Sequence, residues 1–441
     1  MDYTQWNREY ATAIDADPAL RLAANAVAGT DIDRVALNRQ AVVALDSSVS
    51  HKVDDWAVAN QKRSGRCWIF AGLNSLRGEV MARHKIKDFE FSQAYIHFYD
   101  KLEKANYFLT SMQELSEREL DDRTVSHLLR TPIEDGGQWN MFVSLVEKYG
   151  VVPKYAMPET HSSSHTAKLN RDLNTVLRRA ALRLREAAEA EASAAVEEQQ
   201  EVHQETLRDV YRILTIHLGV PPESFVWQYR DKEGEFHREG ELTPKEFASI
   251  YLPPDLGEYV CVVNDPRHPY RARYTVDYLG NVVGAGAVTY LNAPMEVLKK
   301  AAGAAVAEGL PVWFGCETTR QADRETGFWA ADLYDYEGLY GVPMQMSKEE
   351  RLRTGESLME HAMVLTGVDL SAEGTPRRWR VENSWGDEKA EKGFWTMDDS
   401  WFDPYVFEIA VPPRFLPEEV LQARDSEPVA LPAWDPMGAL A

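Results

Sequence analysis

Apolar residues recur every three or four positions through much of the first 160 residues. Residues 67–80 show this spacing at Ile69, Phe70, Leu73, Leu76 and Val80, which predicts a buried helix with Cys67 in its first turn. Further helices are predicted from Phe91-Ser92 toward Tyr107 and from Met141 to Lys148. Residues 1–160 are therefore expected to form an N-terminal segment and a helical lobe.

Residues 165–218 contain no Gly or Pro and are rich in Ala, Leu, Arg and Glu. One apolar stripe consists of Leu169, Leu173, Val176, Leu177, Ala180, Leu184 and Ala188. This pattern predicts long amphipathic helices, most simply a hairpin that projects from the globule or packs on a neighbour. We assign residues 161–255 to a helical insertion, with no chemistry of its own.

The second half of the chain changes from helical spacing to short β-type runs separated by turns. These runs are Tyr259–Val263, Tyr274–Val276, Val282–Val283, Val288–Tyr290, Pro311–Phe314, His361–Leu365, Trp379–Asn383 and Gly393–Met397. Residues 256–411 are therefore expected to form an antiparallel sheet or half-barrel, and the fold class is α+β. Residues 412–441 hold six prolines and are predicted to form an extended arm over the surface.

Composition narrows the classes of function. Of 441 residues, 44% are hydrophobic and 27% are charged, which excludes global disorder. The net charge of −22 argues against nucleic-acid binding, because such a surface repels phosphate backbones. No apolar run reaches the roughly 18 residues that span a bilayer, and residues 1–21 lack the apolar segment of a signal peptide. A cytoplasmic protein is expected.

Three cysteines are too few for a disulfide framework in a chain of this length, so each is considered as a thiol. The first turn of a helix favours an anion, which would lower the pKa of Cys67 and make it a nucleophile. A buried cysteine in a helix is, however, more often an inert apolar residue. Cys261 and Cys316 lie in β-type runs and are expected to be structural.

Three further residues favour the nucleophile interpretation of Cys67. Gln61 precedes it by six positions, so its amide and the Cys67 backbone N–H could form an oxyanion hole. His361 begins a β-type run, and Asn383 follows another and could orient the histidine. Nucleophile, base and orienting amide together indicate acyl transfer.

These residues lie in sequence blocks that resemble the catalytic blocks of papain-fold cysteine peptidases. The blocks are Asn60–Trp68, Glu360–Met363 and Glu382–Gly386. Further blocks are similar to the bleomycin hydrolase and bacterial aminopeptidase C family, namely Val53–Trp56, Asp135–Trp139, Val263–Arg267, Val312–Cys316 and Trp434–Ala441. The resemblance implies a papain-like two-lobe fold. The Cys67-to-His361 step far exceeds the roughly 130–150 residues of papains, which places a large insertion between the lobes.

The resemblance also implies roles. Cys67 thiolate attacks the carbonyl, His361 transfers protons, Asn383 orients His361, and Gln61 binds the oxyanion. A thiolate–imidazolium pair, with a lowered cysteine pKa and a raised histidine pKa, is expected. No cofactor or metal is required.

Substrate contacts are expected at Gly136, Gly137, Trp385 and Ala441. The two glycines would let a peptide backbone pair with their loop, although a plain turn explains them equally well. In the resembling family the C-terminal arm enters the cleft, so the Ala441 carboxylate would bind the free amino group of the substrate. The alternative for this segment is a disordered terminus.

The resemblance predicts a cysteine aminopeptidase of broad specificity that assembles as a homo-hexamer and acts on peptides. Two departures from the family pattern, Glu317–Arg320 and Glu360, can alter the pocket without removing a catalytic atom. An endopeptidase or oligopeptidase with a mobile tail is the first alternative. The second is a non-catalytic oligomeric cage that binds nucleic acid.

Overall fold

A computed structural model describes residues 3–53, 56–189 and 192–441, and the side chains of 192 and 193 are not considered. Asp54 and Asp55, in the Val53–Trp56 block, lie outside the described residues.

The chain up to residue 160 is mainly helical. Its elements are α1 (Tyr3–Ala16), α2 (Pro18–Gly29), α3 (Ile32–Ala36), α4 (Arg39–Ala44), β1 (His51–Lys52), α5 (Cys67–His84), α6 (Gln93–Glu114), α7 (Arg123–Arg130) and α8 (Trp139–Tyr149). The predicted helix at Cys67 is confirmed, and Cys67 is its first residue. Ser92 caps α6 by accepting a hydrogen bond from the Tyr95 N–H at 3.0 Å.

The long helices between residues 160 and 255 pack onto the body of the protein and do not project from it. This region contains α9 (Ala167–Ala188), α10 (Ala192–Leu218), β2 (Phe225–Arg230), β3 (Phe236–Leu242) and α11 (Pro244–Tyr251). The α9 stripe is buried against α10 and α6, with Leu169, Leu173 and Leu177 fully enclosed. The β2–β3 hairpin was not predicted; Phe225 and Trp227 alternate with exposed Val226 as a half-buried strand requires.

The remaining chain builds a sheet with helices around it. Its elements up to residue 411 are β4 (Val260–Val263), β5 (Ala272–Val276), β6 (Thr289–Asn292), α12 (Met295–Ala307), β7 (Val312–Cys316), β8 (Ala322–Asp323), β9 (Phe328–Trp329), α13 (Tyr336–Tyr340), α14 (Lys348–Thr354), β10 (His361–Leu370), β11 (Pro376–Glu382), β12 (Phe394–Asp398), α15 (Asp399–Tyr405) and β13 (Val406–Val411).

Twelve of the described strands form one sheet, in the order β14-β5-β6-β4-β13-β7-β10-β11-β12-β9-β8 with β1 beside β10; β14 (Val429–Leu431) comes from the arm. The expectation of an antiparallel sheet was incomplete, because the β4–β6, β9–β12 and β5–β14 pairs are parallel. Val282–Val283 forms no strand but lies in a turn, where Gly284 adopts a φ of +83°.

The centre of the sheet positions the predicted catalytic residues. Helix α5 packs on β10, whose partners on either side are β7 and β11. His361 is the first residue of β10, and Asn383 directly follows the last residue of β11. Because β10 and β11 are antiparallel, the start of one strand meets the end of the other, and His361 and Asn383 lie together.

The last thirty residues run over the surface and then return into the protein. After β13 come a 3₁₀ helix (Pro413–Phe415), α16 (Glu418–Leu421), 3₁₀ helix Gln422–Asp425, strand β14 and 3₁₀ helix Pro436–Gly438. Strand β14 extends the sheet beside β5. The final buried side chains of the chain are those of Met437 and Leu440. Among the described helices, none has the length and apolar character to cross a membrane.

Candidate active site

Cys67 lies at the N-terminus of α5 with its side chain buried, 3% exposed. Its thiol is 3.9 Å from the carbonyl oxygen of Gly65. Burial raises the pKa of Cys67, while the backbone N–H groups of Ala362, Trp68 and Cys67 itself are directed at the sulfur and oppose that shift. The sulfur therefore lies between the first turn of α5 and the start of β10.

The hydrogen bonds of Asn383 fix the tautomer of His361. Asn383 Oδ1 accepts the Ser384 N–H at 2.8 Å, so this atom is the oxygen of the amide. The same oxygen lies 3.0 Å from His361 Nε2, which must therefore carry a proton. In the neutral ring, Nδ1 then holds the lone pair that can accept a proton from a thiol.

Gln61 is held in place by Ser384. This serine belongs to the Glu382–Gly386 block, but the sequence predicts no role for it. The Ser384 hydroxyl donates to Gln61 Oε1, while Gln61 Nε2 donates to the Ser64 carbonyl. The Gln61 N–H also donates to the Ser384 carbonyl at 2.8 Å. The second hydrogen on Gln61 Nε2 is left for an oxyanion.

The expected pKa shifts of Cys67 and His361 differ from those in the structure. Burial raises the pKa of Cys67 to about 11 and outweighs the backbone N–H groups at the helix start. Burial also lowers the pKa of His361 to about 4, against the Asn383 hydrogen bond, which raises it. Each shift favours the neutral form of its group, and transfer of the proton from thiol to imidazole creates both charges together.

Trp385, a predicted substrate contact, lies against His361. Its ring centroid is 5.0 Å from that of His361, and it is partly exposed. The Arg324 guanidinium lies over the Trp385 ring, 5.5 Å from its centroid. Beside the larger effect of burial, the positive charge of Arg324 also lowers the pKa of His361. The indole thus separates the imidazole from solvent on one side.

Asp135 connects the glycine loop, which contains Gly136 and Gly137, to the segment before Cys67. Its carboxylate accepts the Gly65 N–H at 2.9 Å and pairs with buried Lys101 at 2.8 Å. Its carbonyl accepts the Trp68 indole N–H at 2.6 Å. Burial alone would raise the pKa of Asp135, but Lys101 and the surrounding donors hold it well below its usual range. The sequence does not reveal this role of Asp135, since a carboxylate in a loop carries no signal of its partner.

The glycine loop pairs with the C-terminal arm of the same chain. The Gly137 N–H donates to the Leu440 carbonyl at 2.8 Å. A Cβ on Gly136 would lie 2.0 Å from that carbonyl oxygen, and a Cβ on Gly137 would lie 2.5 Å from the Trp68 ring. Both positions therefore require glycine, because neighbouring atoms lie too close for a side chain. The arm occupies the place beside the loop where the backbone of a substrate was predicted to pair.

Several contacts anchor the arm before it reaches this loop. Asp435 pairs with Arg267 at 2.8 Å, and the Arg123 guanidinium lies 3.8 Å from the Trp434 ring centroid. The Met437 carbonyl accepts from Gln138 Nε2 and the Tyr290 hydroxyl, each at 3.3 Å. The arm is thus ordered up to the loop.

A cavity of about 380 Å³ brings most of the predicted residues together. Its lining includes Gln61, Cys67, His361 and Gly136, and the arm contributes Ala439 and Leu440. Ala441 does not line this cavity; it lines an adjoining one of about 120 Å³, and Glu134 lines both. The described residues contain no group of three His, Cys, Asp or Glu side chains placed to hold a metal.

A nucleophile at a helix start, an imidazole oriented by an amide and a free amide N–H beside them suit acyl transfer through a thioester. With Cys67 at the start of a helix and His361 at the start of a strand in a mixed sheet, fold and site define a papain-like cysteine peptidase.

Comparison with known proteins agrees with this class. The model of the Peptidase C1-like family matches residues 3–438. Bleomycin hydrolase of Gallus gallus is 43% identical over 97% of this chain and 96% of its own length. Aminopeptidase C of Listeria monocytogenes is 44% identical over 92% of this chain and 91% of its own length. The crystal structure of PepW from Lactobacillus rhamnosis superposes with a TM-score of 0.94 at 42% identity, covering 98% of both chains. The chain belongs to the Peptidase C1-like family and is a cysteine aminopeptidase.

Proposed function

We propose that this protein releases N-terminal residues from peptides with broad specificity, and that the C-terminal arm makes it an exopeptidase. The observation that carries the proposal is the hydrogen bond from the Gly137 N–H to the Leu440 carbonyl, beside the cavity that holds Cys67. An arm at this position leaves no room for residues before the one whose carbonyl is attacked. Only a peptide with a free N-terminus then fits.

In the first half of the reaction, His361 Nδ1 takes the proton of the Cys67 thiol as the sulfur attacks the carbonyl carbon. The oxyanion that forms is bound by Gln61 Nε2 and the Cys67 backbone N–H. The imidazolium then gives its proton to the leaving amine, which departs as the shortened peptide. The N-terminal residue remains as a thioester on Cys67.

In the second half, His361 takes a proton from water, and the resulting hydroxide attacks the thioester carbonyl. The Cys67 thiolate leaves and takes the proton from the His361 imidazolium, and the free amino acid is released. Asn383 keeps the ring in one tautomer throughout, which the 3.0 Å bond to Nε2 supports.

The substrate amino group needs an anionic partner near the arm. The Ala441 carboxylate remains our proposed partner, although Ala441 lines the adjoining cavity. The two cavities share Glu134 in their linings, so Ala441 borders the space next to the one that holds Cys67. Gly136, Gly137 and Trp385 are proposed to border the bound residue.

Hydrolysis of leucine 4-methylcoumaryl-7-amide tests the chemistry. We expect the wild type to hydrolyse it, Cys67→Ala to lose at least about a thousandfold in kcat, and a thiol-trapping epoxide to label Cys67. Activity retained in Cys67→Ala would refute the assignment of the nucleophile.

Deletion of residues 437–441 tests the arm separately. We expect the shortened chain to cleave N-acetylated peptides that the full chain leaves intact. Equal cleavage of these peptides by both chains would favour the endopeptidase alternative. The ordered anchors of the arm, such as Arg267–Asp435, favour the exopeptidase.

We also propose the two-lobe division, with residues 1–160 and 256–411 as lobes, 161–255 as an insertion and 412–441 as the arm. A cytoplasmic homo-hexamer remains a proposal. Exposed apolar side chains on α10 and after it, at Tyr211, Ile216 and Val220, support assembly. Light scattering of the purified protein would test the hexamer. The net charge of −22 argues against nucleic acid as a partner.

A further inference from the structure

The charged residues lining the catalytic cavity are acidic. Glu134, Asp135 and Glu360 line it, whereas none of the described lining residues is Lys or Arg. The lining also holds His361, whose positive charge in the proposed mechanism is balanced by the oxyanion that forms with it.

Only two of these carboxylates are available to a ligand. Asp135 is buried and committed to Lys101, with further bonds from the Gly65 N–H and Asn170. Glu134 and Glu360 are exposed, and across the described chain neither forms an ion pair. Glu360 accepts only weak hydrogen bonds from the N–H and hydroxyl of Thr318, at 3.3 and 3.4 Å.

Two lysines behind the cavity and one nearby arginine are engaged in other contacts. Lys101 and Lys104 lie behind the glycine loop, where they donate to the Glu134 carbonyl and pair with Asp135 and Asp100. Arg324 stacks on Trp385 and is not among the lining residues.

We propose that Glu134 and Glu360 are specificity-determining residues that make the enzyme prefer peptides with Lys or Arg at the N-terminus. This inference rests on the proposed function. Two unpaired negative charges in a cleft with walls of low dielectric concentrate cations and stabilise one that is bound. The volume beside Cys67, bounded by Ala439 and Leu440, is where the side chain of the N-terminal residue would lie.

The two carboxylates stand at different places in the cavity. Glu360 directly precedes His361, whereas Glu134 precedes the loop that binds the arm. A long flexible Lys or Arg side chain could reach either one, so the contributions are expected to combine.

The test measures kcat/KM for the 4-methylcoumaryl-7-amides of arginine, lysine, leucine and glutamate. For the wild type we expect Arg and Lys to exceed Leu by about three- to tenfold, and Glu to be the poorest. Glu134→Gln and Glu360→Gln should each lower the Arg/Leu ratio by about twofold to fivefold, and the double variant should bring it near one. Raising NaCl from about 0.05 to 0.5 M should weaken the preference, because salt screens exposed charges.

Glu349→Gln is the matched control, since this partly exposed glutamate pairs with Arg353 on α14 and does not line the cavity. It should leave the ratio unchanged. A wild type that cleaves the leucine substrate with no preference for Arg or Lys overturns this inference alone, as does an unchanged ratio in the double variant. A wild type that cleaves none of the four substrates overturns the proposed function as well.

Discussion

Two walls of the catalytic cavity are held together by different kinds of bonds. The sheet wall consists of His361, Asn383, Ser384 and Gln61, and most of its bonds involve a side chain, beside one backbone bond from the Gln61 N–H to the Ser384 carbonyl. The arm wall consists of Gly136, Gly137, Ala439 and Leu440, and the Gly137 N–H to Leu440 carbonyl bond joins its two parts. One wall positions specific atoms, whereas the other places backbone against backbone.

This difference separates chemistry from the choice of substrate length. On the sheet wall, each side-chain bond determines the orientation of an imidazole or amide that must meet a reacting atom within tenths of an ångström. On the arm wall, any peptide backbone could replace the arm, because backbone pairing is independent of the side chain. We therefore expect damage to the sheet wall to lower kcat and damage to the arm wall to change which peptides are cleaved.

The largest effect is expected on the sheet wall. Gln61→Ala should lower kcat by roughly a hundredfold or more, because one oxyanion donor is lost. Ser384→Ala should lower kcat by about tenfold, because the Gln61 amide is no longer held in place. Added to Gln61→Ala, the same substitution should lower kcat little further. Steady-state kinetics on leucine 4-methylcoumaryl-7-amide would measure both. Losses that simply multiply in the double variant would show that Ser384 acts independently of Gln61.

The next effect concerns the stability of the arm wall. Asp135→Asn should lower the free energy of unfolding at pH 7 by about 3 kcal/mol, because it leaves Lys101 buried without its counter-ion. Since the folded-state pKa of Asp135 is held below its ordinary value of about 3.9, its contribution is present above that pH and is lost as the pH falls below it. The variant should therefore show a weaker loss of stability below about pH 4 than the wild type.

Urea unfolding followed by tryptophan fluorescence at several pH values would measure this change. Asp172→Asn is a suitable control, because its partner Lys168 is exposed on the same helix. An equal decrease in the free energy of unfolding in both variants would show that the buried Lys101–Asp135 pair stabilises the fold no more than the exposed Lys168–Asp172 pair does.

A smaller change on the arm wall should alter selectivity while the chemistry persists. Gly136→Ala places a Cβ against the Leu440 carbonyl and should weaken the seating of the arm by about 1 kcal/mol, the worth of one hydrogen bond. We expect slow cleavage of N-acetylated peptides by this variant, detected by mass spectrometry. Gly286→Ala, where no atom lies within 4 Å of the added Cβ, is the control. Complete protection of blocked peptides in Gly136→Ala would indicate that the loop shifts and the arm stays.

The smallest expected effect is electrostatic and concerns the pKa of His361 on the sheet wall. Burial sets the low pKa of His361, and the charge of Arg324 lowers it further. Since a neutral imidazole is needed as the base, activity falls as the pH drops through this pKa. Arg324→Gln should raise the pKa and move the acid limb of the kcat profile to higher pH by a few tenths of a unit. Arg353→Gln removes an equal charge from α14 and should leave the limb in place.

The local elements of the site were readable from the sequence. The apolar spacing after Cys67 predicted α5 correctly, and the runs at His361 and Trp379 predicted β10 and β11. Those signals are local because helical and extended periodicity arise within a few residues. The parallel strand pairs and the β2–β3 hairpin were not predicted, since strand partners are chosen by packing between distant segments.

The sequence by itself determined which groups are available for catalysis: a thiol at a helix start, an imidazole at a strand start and two amides. The tertiary structure decided how they are joined, through the Ser384 bonds to Asn383 and Gln61. It also decided that Leu440, and not Ala441, reaches the Gly137 N–H. Burial reversed the expected direction of the pKa of Cys67, because the helix terminus is a local feature, whereas exclusion of water depends on the whole surrounding fold.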